Sequence, residues 1–255
     1  MIDALSEADG FAVATTAEAV RLAERTDKSI LILGRAEDAL PPRNAIPSVS
    51  STDEIRTLRY NGWRGRVQIK VNTGMNRLGC RPETVRILAD CLAKAGMHTD
   101  GVFTHFYAAS DADCTARQFA VFDEATRALS VRRHCCASNG LFLPAQYRLD
   151  ATRPGLALYG YGGQDLQPVM QATATVVALH FVRKGDNVGY GIMPAPNAMI
   201  VATVACGYAD GYRRCDRPRT VSVNGVDCPV VGQVCMDMFF ADVTHVRCRV
   251  GDEAV

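Results

Sequence analysis

An excess of charge of either sign is missing from these 255 residues: 28 Lys and Arg stand against 27 Asp and Glu, a formal net charge of +1. A chain so balanced offers no electrostatic case for nucleic acid or for an anionic membrane surface. Long apolar runs are missing too, so no stretch reads as a membrane span. The opening "MIDALSEADG" lacks both the basic n-region and the apolar core of a signal peptide, and a cytoplasmic protein is expected. Ten cysteines are present, but none forms Cys-x-x-Cys. Without a secretion signal they read as reduced thiols, and the adjacent Cys135 and Cys136 are too cramped for an easy disulfide. The five histidines (His98, His105, His134, His180, His245) lack close metal-ligand spacing, so no metal site is expected.

What is there is enough apolar sequence, 48%, for one large domain or two modest ones. The first two-thirds repeats a short apolar run, a loop and a helical pattern. The runs are "GFAVA" (10–14), "ILIL" (30–33), "AIPSVS" (45–50), "VQIKV" (67–71), "GVFTHF" (101–106), "HCCAS" (134–138) and "GLALYG" (155–160). Thr15 with Glu18, and Ser51 with Glu54, fit capping boxes; Pro82 fits a first helical residue, and Gly96 a helix end. Alternating strand and helix predicts parallel βαβ units. Seven strands are counted where a closed β/α barrel needs eight, and "MIDALSEAD" reads as the tail of a helix. Either the sheet is an open doubly wound one or residues are missing upstream.

After about Gln167 the helical period disappears. "VMQATATVVALHFV", "AMIVATVACGYADG", "TVSVNGVDCPVVG" and "MFFADVTHV" are strand-like, and Asn224-Gly225 is a strong hairpin signal. The closing "VGDEAV" breaks off in mid-pattern, as at a second truncation. The expected α/β organisation is an incomplete (β/α)8 TIM-type barrel lacking its first strand at 1–166, then a partial β-rich C-terminal domain at 167–255.

In "RVQIKVNTGMNRLG", Val67, Ile69 and Val71 alternate with Arg66, Gln68, Lys70 and Asn72, the two-residue period of a strand. The polar face is a site if it lines the mouth of a barrel, and merely a wet face if the sheet lies at the surface. Functional residues of a barrel gather just after the C-terminal ends of strands. Lys70, Arg77, His105 in "FTHFYAASD", Ser138 in "HCCASNG" and Arg153 before "PGLALYG" all fall there. Singly each has a bland reading: Arg153 as an ion-pair partner, for example, or Ser138 as a helix cap.

Six motifs in order change that balance: "KVNTGMNRLG", "FTHFYAASD", "RPGLALYG", "VGYG", "GYADGYRR" and "VVGQVCMDM". On these the chain resembles the alanine racemases, from about Gly10 to Asp252. The resemblance implies a pyridoxal-phosphate (PLP) barrel joined to a β-domain, in a homodimer with shared active sites. It implies interconversion of L- and D-alanine by two bases, supplying D-alanine for peptidoglycan or degrading it. One base is the PLP lysine; the other matches Tyr190, supplied by the partner subunit and connected through His105 to Arg153. Arg153 also matches the residue facing the pyridine nitrogen. Ser138 with the backbone N–H groups of Gly155 and Leu156 matches the phosphate site. Arg77 matches the arginine on the PLP phenolate oxygen and the substrate carboxylate. Met236 matches a backbone donor to that carboxylate, and Lys70 a lysine that is often carbamylated. Asp111 and Asp237 match polar residues of the substrate access corridor.

Departures from the family pattern are Asn72 for a usual aspartate, Ala137 for a frequent asparagine and Gln233 for a common arginine. The segment bearing the Schiff-base lysine, near a "KANAYGHG"-like motif, does not occur in these residues. The four lysines are Lys28, Lys70, Lys94 and Lys184, none a substitute, so the 255 residues by themselves are expected to be inactive. A racemase of serine or another small amino acid is the alternative enzyme reading. A non-catalytic racemase-like remnant is the alternative of a different class.

Overall fold

A computed structural model describes residues 2–163, 165–215 and 217–255. The chain divides into two units, Met1–Val169 and Met170–Val255. In the first, six strands pair in chain order and all in parallel: β1 (Gly10–Val13), β2 (Ser29–Ile32), β3 (Ala45–Val49), β4 (Arg66–Lys70), β5 (His98–Phe103) and β6 (Arg132–His134). A doubly wound sheet reverses its strand order at a switch point; this one never does, so it is an arc of a β/α barrel. Two short strands, β7 (Cys136–Ala137) and β8 (Thr152–Arg153), form a separate parallel pair.

The helices begin where the capping residues lie. Thr15 and Glu18 close a reciprocal capping box at α1 (Thr16–Ala23). At α2 (Thr52–Tyr60), Ser51 accepts the Glu54 N–H, while the Glu54 carboxylate reaches one residue further back to the Ser50 N–H at 2.5 Å. Pro82 opens a 3-10 turn that leads into α3 (Val85–Lys94), and Gly96 ends it at φ +73°. The fourth helix, α4 (Ala112–Thr126), is capped by Asp111, which accepts the Cys114 N–H at 2.8 Å.

Val67, Ile69, Val71 and Val102 pack with Leu58, Leu88, Leu92 and Phe122, the layer between sheet and helices. The alternate residues of β4, Gln68 and Lys70, are 5% and 6% exposed. The polar face of that strand is therefore an interior, not a wet surface. "GLALYG", expected as the seventh strand, is instead a 3-10 helix over Leu156–Tyr159, and the strand is Thr152–Arg153 just before it. The backbone N–H groups of Gly155 and Ala157 both bond the Ser138 hydroxyl, and Leu158 N–H bonds the Gly155 carbonyl. These bonds take the donors that a strand would offer its neighbours.

The second unit is an antiparallel closed barrel. Its strands are β9 (Ala174–Val182), β10 (Met199–Val204), β11 (Thr220–Val223), β12 (Val226–Val231), β13 (Phe239–Asp242) and β14 (Glu253–Ala254), ordered β10-β13-β12-β11-β14-β9. Val176, Ala202, Val204, Val223, Phe239 and Ala241 are among its buried core. The hairpin lies at Asn224-Gly225, with φ values of +52° and +79°, the left-handed pair a tight two-residue turn requires. Asn224 Nδ2 donates to the Arg247 carbonyl at 2.9 Å and to Asp252 Oδ2 at 2.8 Å, tying the turn to the residues before β14. Within "VGDEAV", Glu253 and Ala254 pair with β9, and Ala254 with β11, closing the barrel. Among the described residues no helix is long and apolar enough to cross a membrane.

Candidate active site

The site starts where β4 ends. Cys80 N–H bonds the Lys70 carbonyl at 2.8 Å and Asn72 N–H bonds the Cys80 carbonyl at 2.9 Å, closing the loop 72–79 at its neck. Inside it, Asn72 Oδ1 accepts from Gly74 N–H at 3.1 Å and Asn76 N–H at 3.0 Å, while its Nδ2 donates to Asn76 Oδ1 at 2.9 Å. Asn76 is left-handed at φ +54°. Asn72, the departure from the usual aspartate, thus shapes the loop that carries Arg77. Lys70 Nζ donates to the Leu33 carbonyl at 2.8 Å. Lys70, Asn72, Thr73, Arg77, Thr104 and His105 line a narrow cleft.

Positive charge dominates this cleft. Burial, then Arg77 and Arg153, pull the Lys70 ammonium down to about 8, with Glu54 opposing. Burial, then Arg153, Arg77 and Lys70, push His105 down to about 4, so its imidazole is neutral at pH 7. Burial lowers Arg153 to about 10, still a cation. Its Nη2 donates to the Thr104 carbonyl at 2.7 Å and the Cys135 carbonyl at 3.4 Å, and its Nη1 to His134 Nδ1. All three acceptors are neutral. Phe103 lies beneath, its ring centroid 5.2 Å from Arg153 Cζ and 5.6 Å from Lys70 Nζ. Arg153 therefore leans on His134; among the described residues it makes no hydrogen bond to His105.

Ser138 follows β7, and its Oγ accepts from the Gly155 and Ala157 N–H groups, each at 3.0 Å. With both lone pairs of the hydroxyl engaged, its own proton is left to donate to an anion. Leu156 opens the 3-10 helix, so its N–H has no acceptor within that helix. Ser138, Gly155 and Leu156 thus meet at one place.

His134, Asp100 and Gln118 were not among the sequence's candidates for the site. His134, 3% exposed, stacks on Phe103 and bonds Gln68 Oε1 at 2.8 Å through Nε2. Gln68 in turn donates to Asp100 at 3.1 Å. Gln118, on α4 and 3% exposed, donates to Thr73 Oγ1 at 3.0 Å and the His105 carbonyl at 3.3 Å, and accepts from Tyr107 N–H at 3.0 Å. One amide thereby clamps the Arg77 loop to the His105 loop. "HCCAS" held the sign of His134, a polar residue opening an otherwise apolar run; Gln118 had none.

In the second unit, Tyr190 is 60% exposed at the tip of a tight loop. Asn187 bridges that loop through the Gly189 carbonyl at 2.7 Å and Met193 N–H at 2.6 Å. Gly189 also pairs with Gln233, which brings the Tyr190 loop beside the segment leading to Met236. Met236 and Asp237 are exposed, and the Met236 carbonyl accepts the Ala209 N–H at 2.9 Å.

Basic and imidazole groups gathered beyond parallel strands of a β/α barrel, with a separate antiparallel barrel, mark an enzyme of the β/α-barrel class. The family of alanine racemase N-terminal domains matches residues 1–162, and that of the C-terminal domains residues 169–255. The alanine racemase of Deinococcus deserti is 36% identical over 96% of this chain and 73% of its own length. The solved alanine racemase of Acinetobacter baumannii superposes with a TM-score of 0.86 at 29% identity, over 99% of this chain and 77% of that one. That of Bartonella henselae with covalently bound pyridoxal phosphate gives 0.81 at 25% identity, over 96% and 75%. The chain belongs to the alanine racemase family.

Proposed function

We propose that this chain supplies the cofactor-binding and substrate-facing parts of a PLP-dependent racemase that interconverts L- and D-alanine, as a homodimer whose sites are each completed by a second copy. One observation carries the reading: Lys70 and Arg77 line one cleft with the neutral His105, and the Arg153 charge acts on both Lys70 and His105, with Glu54 the lone acidic influence on Lys70 among the described residues. Such a field suits a dianionic cofactor and a carboxylate substrate. The donor set fits PLP: the Ser138 hydroxyl proton and the Leu156 N–H for the phosphate, with the Gly155 N–H orienting Ser138 by donating to its Oγ, Arg153 for the ring nitrogen, Arg77 for the phenolate oxygen and the substrate carboxylate. When bound, PLP supplies the electron-withdrawing ring that lets the substrate α-proton leave.

The protein's residues do the rest. Arginine has no acceptor and does not give up its proton, so Arg153 leaves the ring nitrogen unprotonated and weakens the electron sink. Tyr190, offered by a second copy, is the base for one face of the substrate; it must be ionised to act, and the Arg153, Arg77 and Lys70 charges that push His105 down to about 4 favour a tyrosinate set against it. The other base is the family's Schiff-base lysine. Lys28 is occupied by the Ser6 and Ala8 carbonyls and Lys70 by that of Leu33, while Lys94 is exposed on α3. The 255-residue polypeptide alone is therefore expected to show no alanine racemisation. Joined to a first strand bearing the family's lysine motif and to the family's C-terminal stretch, it is expected to racemise alanine, and Tyr190→Phe then slows proton removal from one enantiomer far more than from the other. Racemisation by the 255 residues alone would overturn the inactivity. A preference for serine would overturn the substrate, and equal losses in both directions the role of Tyr190.

Lys70 is proposed as a carbamylation site. A neutral amine adds CO2 and releases one proton, and at about pH 8 half of the Lys70 population is neutral. The product is an anion beside Arg77 where two cations had faced each other. Carbon-13 bicarbonate at pH 8 is expected to give one carbamate NMR signal that Lys70→Met removes; a signal that persists in the variant places the carbamate elsewhere.

A further inference from the structure

Behind Arg153 runs a line of polar groups whose protons can be arranged in a single way. Arg153 Nη1 donates to His134 Nδ1, and an arginine cannot accept, so Nδ1 is bare and Nε2 carries the hydrogen. That hydrogen goes to Gln68 Oε1 at 2.8 Å, which turns the amide so that its NH2 donates to Asp100 Oδ2 at 3.1 Å. Asp100 Oδ1 lies 3.5 Å from Arg66 and 3.3 Å from Arg132. The slot for Gln68 is built. The β4–β5 register steps from Thr99 to Gly101 and skips Asp100, a bulge that re-aims its carboxylate. A Cβ on Gly101 would come within 3.2 Å of Gln68 Nε2 and 2.8 Å of the Arg132 carbonyl.

We propose that Gln68 is a positioning residue, a neutral spacer that holds the Asp100 charge one link away from His134 so that His134 remains an acceptor for Arg153. A carboxylate bonded directly to His134 would favour the imidazolium, in which both ring nitrogens donate. Nδ1 would then meet the Arg153 guanidinium donor to donor, and Arg153 would lose its anchor. The charged groups facing His134 are Arg153 from β8, Arg132 from its own strand and, through Gln68, Asp100 from β5; Lys70 of β4 lies over the Phe103 ring that His134 stacks on. The two arginines favour the neutral ring, and Gln68 keeps Asp100 from opposing them.

The consequence for the cofactor rests on the proposed role of Arg153; the spacer role does not. Nitrogen-15 NMR of the histidine-labelled chain is expected to show His134 as the Nε2–H tautomer from pH 8 to pH 5. An Nδ1–H tautomer or an imidazolium at pH 7 would overturn the proposal. The double variant Gln68→Glu/Asp100→Asn moves the carboxylate one link closer at constant net charge. It is expected to raise the His134 midpoint by roughly 1–3 units, and an unmoved midpoint would overturn the spacer. Should that variant not fold, the wild-type tautomer still decides. Pyridoxine 5′-phosphate labelled at its ring nitrogen binds without a Schiff base and tests the other reading separately. A bare ring nitrogen is expected. A protonated one, with the His134 tautomer intact, would overturn the role of Arg153 and leave the spacer standing.

Discussion

Phe103→Ala is expected to lower stability by about 3–5 kcal/mol and to weaken pyridoxine 5′-phosphate binding by about tenfold or more. Phe122→Ala, with an equal cost in stability, should leave binding nearly unchanged. Both rings are fully buried, at 1% and 0% exposure, so deleting either leaves a comparable void. Their neighbours differ. Phe122 fills the layer between the sheet and α3 and α4, whereas Phe103 faces the interior with Leu31 and Ile46. His134 stacks on it at a centroid distance of 5.1 Å and an interplanar angle of 4°. Arg153 and Lys70 lie over it, contacts worth about 0.5–2 kcal/mol each when desolvated. Removing the ring frees His134 to tilt and takes the support from under two cations in one cut. Thermal melts and titration calorimetry on the two variants check this; equal binding by both would mean that Phe103 serves packing alone.

The sequence showed the ends of strands better than the spaces between them. Lys70, His105, Ser138 and Arg153 could be found because each follows an apolar run, and a barrel displays such residues by construction. Gln68 was visible as a polar residue in alternation, but whether that face was wet or interior depends on neighbouring strands, which local period does not encode. Asp100 was hidden by its bulge: the register skips one residue, and the inward position passes to a residue that simple alternation would turn away. Gln118 lies 45 residues from Thr73, and nothing in the helical period of α4 marks one polar residue as a clamp on two distant loops.

The same limits explain one misread segment and one too short to read. "GLALYG" alternates like a strand, yet its N–H groups are claimed by Ser138, nearly twenty residues away. "VGDEAV" carries a strand of only two residues, too short for a period, and it becomes a strand because β9 and β11 leave a gap for it. Asn224-Gly225, by contrast, was fully legible: the left-handed backbone of the turn is a property of those two residues and needs no distant partner.

Acid should unfold the first unit by way of His134. Buried among apolar neighbours and facing Arg153 and Arg132, its imidazole is depressed to about 3 from an ordinary 6.5. Below pH 6.5 the unfolded chain takes up the proton that the folded one refuses, so the unfolded state binds more protons and stability falls with each unit of acid. Full stability from this group is present above pH 6.5, and its loss ends near pH 3. At about 1.4 kcal/mol per unit the loss is roughly 4–5 kcal/mol, a large share of a typical domain's stability. His105, depressed to about 4, acts in the same direction with a smaller effect because it is more open to solvent. Carboxylates also titrate in this range, so the discriminating variant is His134→Gln, which keeps a polar side chain and removes the titration. At pH 7 it should be less stable than the parent by about 1–3 kcal/mol, because the Arg153 and Gln68 bonds are disturbed. Its stability should then fall less steeply in acid, so that the two denaturant profiles converge between pH 6.5 and 4. Profiles that stay parallel through that window would show that His134 is already protonated in the folded protein, and with it that Arg153 is anchored by something else.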